Sequence, residues 1–342
     1  MKKIFIIALV IRLICLYLFR NVTNYDLQSY LQVGELTLKG VNIYPDVANL
    51  HHPYLPFFLY VEALAVYFGQ SKIIVITLIK VINIIFDLGI LQLIYLLSKK
   101  NLKTCFLYAI NPVTILITTL HGQFDVIPVF FILLTIYLLN KKQELLSVLS
   151  FSFAVFTKTW PILFLIPIVR RIKSKKLIFL IIFFPALFIF IYIWLFKSSL
   201  FNISKTLIYY QGLWGIWGPL SLLGKTIILW QKLSTLIFLI CFFSYSILKR
   251  NKNLIEEFLD LLFFFFVFTT NFSIQYFVWI VPFLYLIKPK KYLWLIVLIS
   301  LYLFSFYCLW LFNLNLINIQ NILGLILWLS FIKIGYLSKK IA

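Results

Sequence analysis

Long apolar runs alternate with short polar segments along the whole chain. Runs near 4–19, 72–97, 102–119, 126–140, 177–196, 227–248, 255–270, 273–288, 292–312 and 322–337 are long enough to read as membrane spans. They are rich in Leu, Ile and Phe and lack period-two alternation, so they predict helices and not barrel strands. Two further segments are irregular. Residues 53–69 carry Glu62 and two prolines, and residues 144–169 are broken at Trp160-Pro161, where proline ends a helix. Each predicts a re-entrant or half-spanning element, because irregular backbone at membrane depth is tolerated only where it lines a cavity. The pattern as a whole predicts an all-α, polytopic transmembrane bundle of about 10–12 membrane helices, broken or re-entrant ones included. It forms a single integral membrane domain over 1–342. A first outer loop at 20–71 holds amphipathic or re-entrant helices, and a second large outer loop lies at 197–226.

Charge sets the orientation. With the N-terminus inside, alternate loops place 21 of the 31 basic residues on the inner side, in clusters such as Lys99-Lys100, Arg170-Arg171 and Lys249-Arg250. That is the positive-inside pattern. It accounts for the net charge of +21 without nucleic acid, because the basic residues are short clusters at helix ends. Met1-Lys2-Lys3 before an apolar run resembles a signal peptide. Arg12 interrupts the run and no small-x-small cleavage site follows, so a retained first span is expected. The chain is expected to be a multi-pass protein of the cytoplasmic (plasma) membrane. Cys15, Cys105, Cys241 and Cys308 lie in apolar stretches with no CxxC or Cys/His spacing, so neither a disulfide framework nor a zinc site is inferred.

With this orientation, five polar and aromatic islands fall on the outer face. They are Tyr25 to His52, His121-Gly122-Gln123-Phe124-Asp125, Thr157 to Pro161, Trp214 to Gly218, and Asn271 to Tyr276. Asp26 has two compatible readings: a proton acceptor toward a substrate hydroxyl, or the N-cap of an amphipathic helix over 27–38. His51 and His52 precede Pro53 and lack an obvious third metal ligand. His121, Gln123 and Asp125 form a polar turn between two apolar helices. Lys158 is a lone cation in an apolar, proline-broken segment, where a lysine usually faces an anion. A phosphate is one candidate, and Asp87 or Asp125 is the structural alternative. Arg12 and Lys80 are expected to snorkel to the interface. Gln275 and Tyr276 suit sugar hydroxyls and suit an interface equally well.

In this order the islands resemble the GT-C class of integral membrane glycosyltransferases. The likeness is to mannosyltransferase-like groups that use polyprenyl-phosphate sugars, the glycosyltransferase family 87 type and the GPI mannosyltransferases among them. The stretches that carry it are YDLQSYLQVGELTLKGVNIYP, HHPYLPFFLY, NPVTILITTLHGQFD, FAVFTKTWPILFLIP and NFSIQYFVWIVPF, within residues 20–285. The resemblance implies a lipid-linked sugar donor, an active site at the outer face, and Asp26 as the base in an inverting transfer of a mannose-like hexose. The acceptor would be a hydroxyl of a glycan, lipid or protein. Lys158 matches a position suited to the carrier phosphate, with His51, His52, His121, Gln123, Asp125, Gln275 and Tyr276 around the sugar and acceptor. Asp26 has no acidic neighbour two residues away, so no acid pair calls for a divalent metal, and no cofactor is expected.

A membrane transporter or lipid flippase is the main rival, suited by intramembrane Lys158 and Asp87 and by broken helices. No internal repeat supports it, and the polar groups favour one face over the midplane. An acyltransferase built on His121 would need a lipid tunnel reaching that residue.

Overall fold

Short polar caps and prolines cut the apolar chain into helices. The computed structural model describes residues 1–46, 50, 52–209, 213–214, 217–218, 228–287, 289–312, 314 and 317–339. His51, Lys288 and Lys340 lie outside the described residues, as does much of the 197–226 loop with Gly215 and Ile216 of its island.

The helices run in chain order as α1 Lys2–Leu18, α2 Tyr25–Leu38, α3 Pro56–Phe68, α4 Lys72–Leu97, α5 Leu102–Ala109 and α6 Pro112–Ile115. They continue as α7 Val126–Asn140, α8 Glu144–Thr157, α9 Leu165–Val169, α10 Lys175–Ile178, α11 Leu180–Phe196 and α12 Leu200–Tyr209. The last are α13 Ile228–Leu248, α14 Leu254–Phe268, α15 Phe277–Ile287, α16 Pro289–Phe312 and α17 Ile317–Lys339. Among the described residues the sole strand pairing is a two-residue antiparallel one, β1 Leu213–Trp214 with β2 Asn271–Phe272.

Among the described residues, four helices are long and apolar enough to cross a membrane: Lys72–Leu97, Lys175–Phe196, Pro289–Phe312 and Ile317–Gly335. A fifth arises if the pair Leu102–Ala109 and Pro112–His121, bent by 42°, counts as one span. The bend falls where Pro112 removes a backbone donor and Asn111 caps the next helix, its Oδ1 accepting from Val113 N at 2.7 Å. Several runs read from the sequence as spans are shorter apolar helices here, such as Val126–Asn140, Leu233–Leu248 and Ile274–Ile287.

The contacts cluster into two units: 1–162 with 169–210, and 163–168 with 211–342. In the first, α2 lies tightly on α3. A Cβ at Gly34 would stand 2.8 Å from the Glu62 carbonyl oxygen, so the approach requires glycine. Val33, Leu59, Phe156, Tyr192 and Ile203 form an apolar core beside that contact.

Arg12 and Lys80, expected to snorkel, are both buried and have partners within the protein. Arg12 is fully buried, with Nε 2.6 Å from Asp87 Oδ2 and Nη1 donating to the carbonyls of Ala8 and Ala109. Tyr108 donates to the other Asp87 oxygen at 2.5 Å. Lys80, also buried, donates to the carbonyl of Phe19 at 3.0 Å, satisfying an orphan acceptor at the end of α1.

In the second unit, Trp217 donates to the Phe266 carbonyl at 2.7 Å and stacks on Phe272, with ring centroids 4.3 Å apart. Phe266 in turn stacks on Phe331 at 4.7 Å.

Candidate active site

The first unit gathers three of the polar islands around Asp26. Asn24, not Asp26, caps α2: its Oδ1 accepts from Leu27 N at 2.8 Å. Asp26 therefore sits in the first helical turn, where the helix dipole favours an anion, with its carboxylate free of capping duty. The Asn24 amide also reaches across the unit and donates to the His121 carbonyl at 2.7 Å.

His121 ends a single stretch of π-helix, Leu116–His121. Such wide turns occur often at functional sites. Gly122 then turns the chain at φ +80°, and a Cβ there would stand 2.7 Å from Leu27 Cδ2. Asn83 of α4 fixes this turn by donating to the Gly122 carbonyl at 3.0 Å. The turn aims two side chains at Asp26. Gln123 Nε2 donates to Asp26 Oδ2 at 2.6 Å, and His121 Nε2 lies 3.3 Å from the same oxygen.

The Asp26 side chain is 35% exposed, whereas Gln123 is fully buried. Burial pushes the Asp26 carboxyl upward. The hydrogen bond and charge of His121, the Gln123 amide and the Lys158 charge outweigh it and hold the group below its ordinary value. It is an anion throughout the neutral range.

Lys158 follows the last turn of α8 in extended backbone, two residues before Trp160-Pro161. Its ammonium lies 2.6 Å from Asp125 Oδ2 and above the rings of Phe124 (4.6 Å) and Tyr54 (5.2 Å). Of the two acids considered as partners from the sequence, Asp125 is the one found, Asp87 being held by Arg12. Asp125 is fully enclosed, and the Lys158 side chain retains 10% exposure. Phe124 is fixed in turn by face-to-face stacking on Phe58, with centroids 3.5 Å apart.

His52 is fully buried, with Nε2 2.8 Å from Glu62 Oε1. Burial pushes its imidazole down to about 3, against the opposing pull of its backbone hydrogen bond and Asp26, so the ring is neutral. Its contacts are those of a supporting residue. His51 falls outside the described residues. Gln275 and Tyr276 belong to the second unit, where Gln275 accepts from Ser273 Oγ and Tyr276 stacks on Trp279 at 4.1 Å.

Sequence reasoning overlooked Asn24, Tyr30, Tyr54 and Asn83. Tyr30 was within reach, because it lies one helical turn beyond Asp26 and so shares its face. Asn83 and Tyr54 carry no comparable signal. Among the described residues no three His, Cys, Asp or Glu side chains converge as a metal site would require.

No family model, curated protein or solved structure matches this chain.

The arrangement is an ionised, part-exposed carboxylate, oriented by two neighbours, in one cluster with a cation that keeps some access to its surroundings.

Proposed function

We propose that this chain is a membrane glycosyltransferase of the GT-C type. It would move a hexose, mannose-like, from a polyprenyl-phosphate carrier to an acceptor hydroxyl at the extracytoplasmic face of the cytoplasmic membrane. The observation that carries the reading is Asp26, an oriented carboxylate with a third of its surface open, beside Lys158.

The chemistry suits these groups. A carrier phosphate leaves as a stable anion, so it needs positive charge more than a proton. Lys158 supplies that charge, with Asp125 and the two aromatic faces holding the ammonium in place. The acceptor oxygen attacks the anomeric carbon opposite the departing phosphate and inverts it. As that C–O bond forms, the hydroxyl proton passes to Asp26. A carboxylate held below its ordinary value is a weak base, so transfer comes late, when bonding to carbon has already acidified the hydroxyl. Positioning and electrostatics in a water-poor site provide most of the acceleration.

The test uses the purified full chain in lipid nanodiscs with a panel of polyprenyl-phosphate sugars and simple acceptors. Sugar transfer that disappears in Asp26→Asn supports the reading. Asp26→Asn turning over like the unaltered protein at saturating donor would eliminate the base assignment. Movement of intact lipid-linked sugar between leaflets, with no glycosidic bond formed, would favour a flippase instead.

A further inference from the structure

A primary amide has two opposite ends, an accepting oxygen and a donating NH2. Gln123 stabilises the Asp26 carboxylate with one end and would repel it with the other. The end not facing Asp26 is held by Tyr30, whose hydroxyl donates to Gln123 Oε1 at 3.0 Å. Tyr30 and Gln123 are both buried, so water is not at hand to replace that bond. The Tyr30 ring is walled by Phe58, Phe124 and His52, with centroids 5.2, 5.8 and 6.1 Å away, which keeps the hydroxyl aimed at the amide. Its neighbour Tyr54, with ring centroid 6.4 Å away, lies beneath the Lys158 ammonium. Tyr30 thus meets Gln123, which holds the carboxylate, on one side and Tyr54, which lies beneath the cation, on another.

We propose that Tyr30 is a positioning residue for Asp26, acting through Gln123: it fixes the polarity of the amide so that a donor always faces the carboxylate. Its consequence for turnover rests on reading Asp26 as the base, whereas its consequence for the titration of Asp26 does not. The other titratable groups here are His121 and Lys158, which act on Asp26, and Tyr54, His52 and Glu62 around Tyr30, with Tyr54 in hydrogen-bond contact with it. None of them changes in the variants below.

The experiment follows carbodiimide labelling of Asp26, read by mass spectrometry across a pH series, on the folded full chain in detergent. Carbodiimide captures the protonated carboxyl, so the labelling midpoint reports its pKa. In Tyr30→Phe the amide loses its anchor and the midpoint should rise by about one pH unit, the size of a lost hydrogen bond to a charged group. Gln123→Met should shift it at least as far. Tyr30→Phe added to Gln123→Met should change nothing more, because the two act through one path. A Tyr30→Phe midpoint equal to that of the unaltered protein would overturn the proposal, as would an equal shift in the Gln123→Met background. Should Tyr30→Phe not fold, Gln123→Met decides alone: an unmoved midpoint refutes the amide as donor and Tyr30 with it, and a raised one supports both. With transfer as readout, Tyr30→Phe should lower kcat, leave donor KM unchanged, and carry the acid limb upward with the labelling midpoint. A shifted midpoint with unchanged transfer would instead refute Asp26 as base and leave the role of Tyr30 intact.

Discussion

Replacing Lys158 separates a structural ion pair from a working one. The ammonium and Asp125 lie 2.6 Å apart, with side chains 10% and 0% exposed. At that distance, and an effective dielectric near 20, the gross attraction is roughly 6 kcal/mol. Desolvation costs several kcal/mol for each ion, so the pair as a unit adds little net stability. Removing one member is different, because it strands the other. Lys158→Met should therefore lose about 3–5 kcal/mol, by removing the cation paired with the enclosed Asp125 carboxylate. Loss of the cation over Phe124 and Tyr54 adds about 1–2 kcal/mol. The double variant Lys158→Met with Asp125→Leu should recover most of this, since neither ion then remains in the interior. Unfolding in detergent, followed by tryptophan fluorescence, gives the stability series, and a polyprenyl-phosphate-sugar assay on the same samples gives activity. The expected pattern is a destabilised single variant, a double variant close to the unaltered protein, and no transfer by either. A double variant that is both stable and active would refute Lys158 as the phosphate contact. A single variant as stable as the unaltered chain would refute the buried-pair energetics.

Four other outcomes follow, three from this geometry and one from the charge pattern. Asp26→Asn should fold normally and lose transfer by about 10²–10⁴-fold, measured at saturating donor. Asp26 is held below its ordinary value of about 3.9, so it stabilises the fold above that pH and loses its contribution as pH falls through its lower folded value. Transfer should accordingly show no Asp26-dependent acid limb down to about pH 4, and a limb near neutrality that vanishes on altering another residue would assign it there. Gly122→Ala places a side chain at φ +80° against Leu27 and should cost about 1–3 kcal/mol, read as a lowered melting temperature. A cysteine at Lys173, in a chain cleared of its native cysteines, should resist impermeant reagents in intact cells; labelling from outside would reverse the orientation.

Much of the architecture was legible because hydropathy and charge are additive along a sequence. Breaks such as Trp160-Pro161 act locally and fall where the pattern puts them. The Lys158–Asp125 pair was also within reach, as one of two named alternatives for a lone cation in an apolar segment. What escaped depends on which groups meet across the fold. Arg12 reads as a snorkelling residue until Asp87, 75 positions away, is known to face it. His52 reads as a ligand for sugar until Glu62 is found to occupy its Nε2. Span number was harder still, because helices such as Val126–Asn140 are apolar throughout yet shorter than a membrane crossing, so composition does not say how deep they run.

The Arg12–Asp87 contact has a consequence for how the chain is made. Arg12 emerges early from the ribosome inside an apolar helix, and both side chains that complete its cage, Asp87 and Tyr108, lie far downstream. At translation rates of about 5–20 residues per second, the 75 intervening positions take about 4–15 s to synthesise. Throughout that interval a guanidinium in lipid carries a penalty of about 3 kcal/mol on the insertion scale. A first helix that entered lipid alone would bear that penalty until the helix carrying Asp87 arrives. A change at Asp87 would make the penalty permanent, so its effect should be read on the newly made chain as well as on the finished protein.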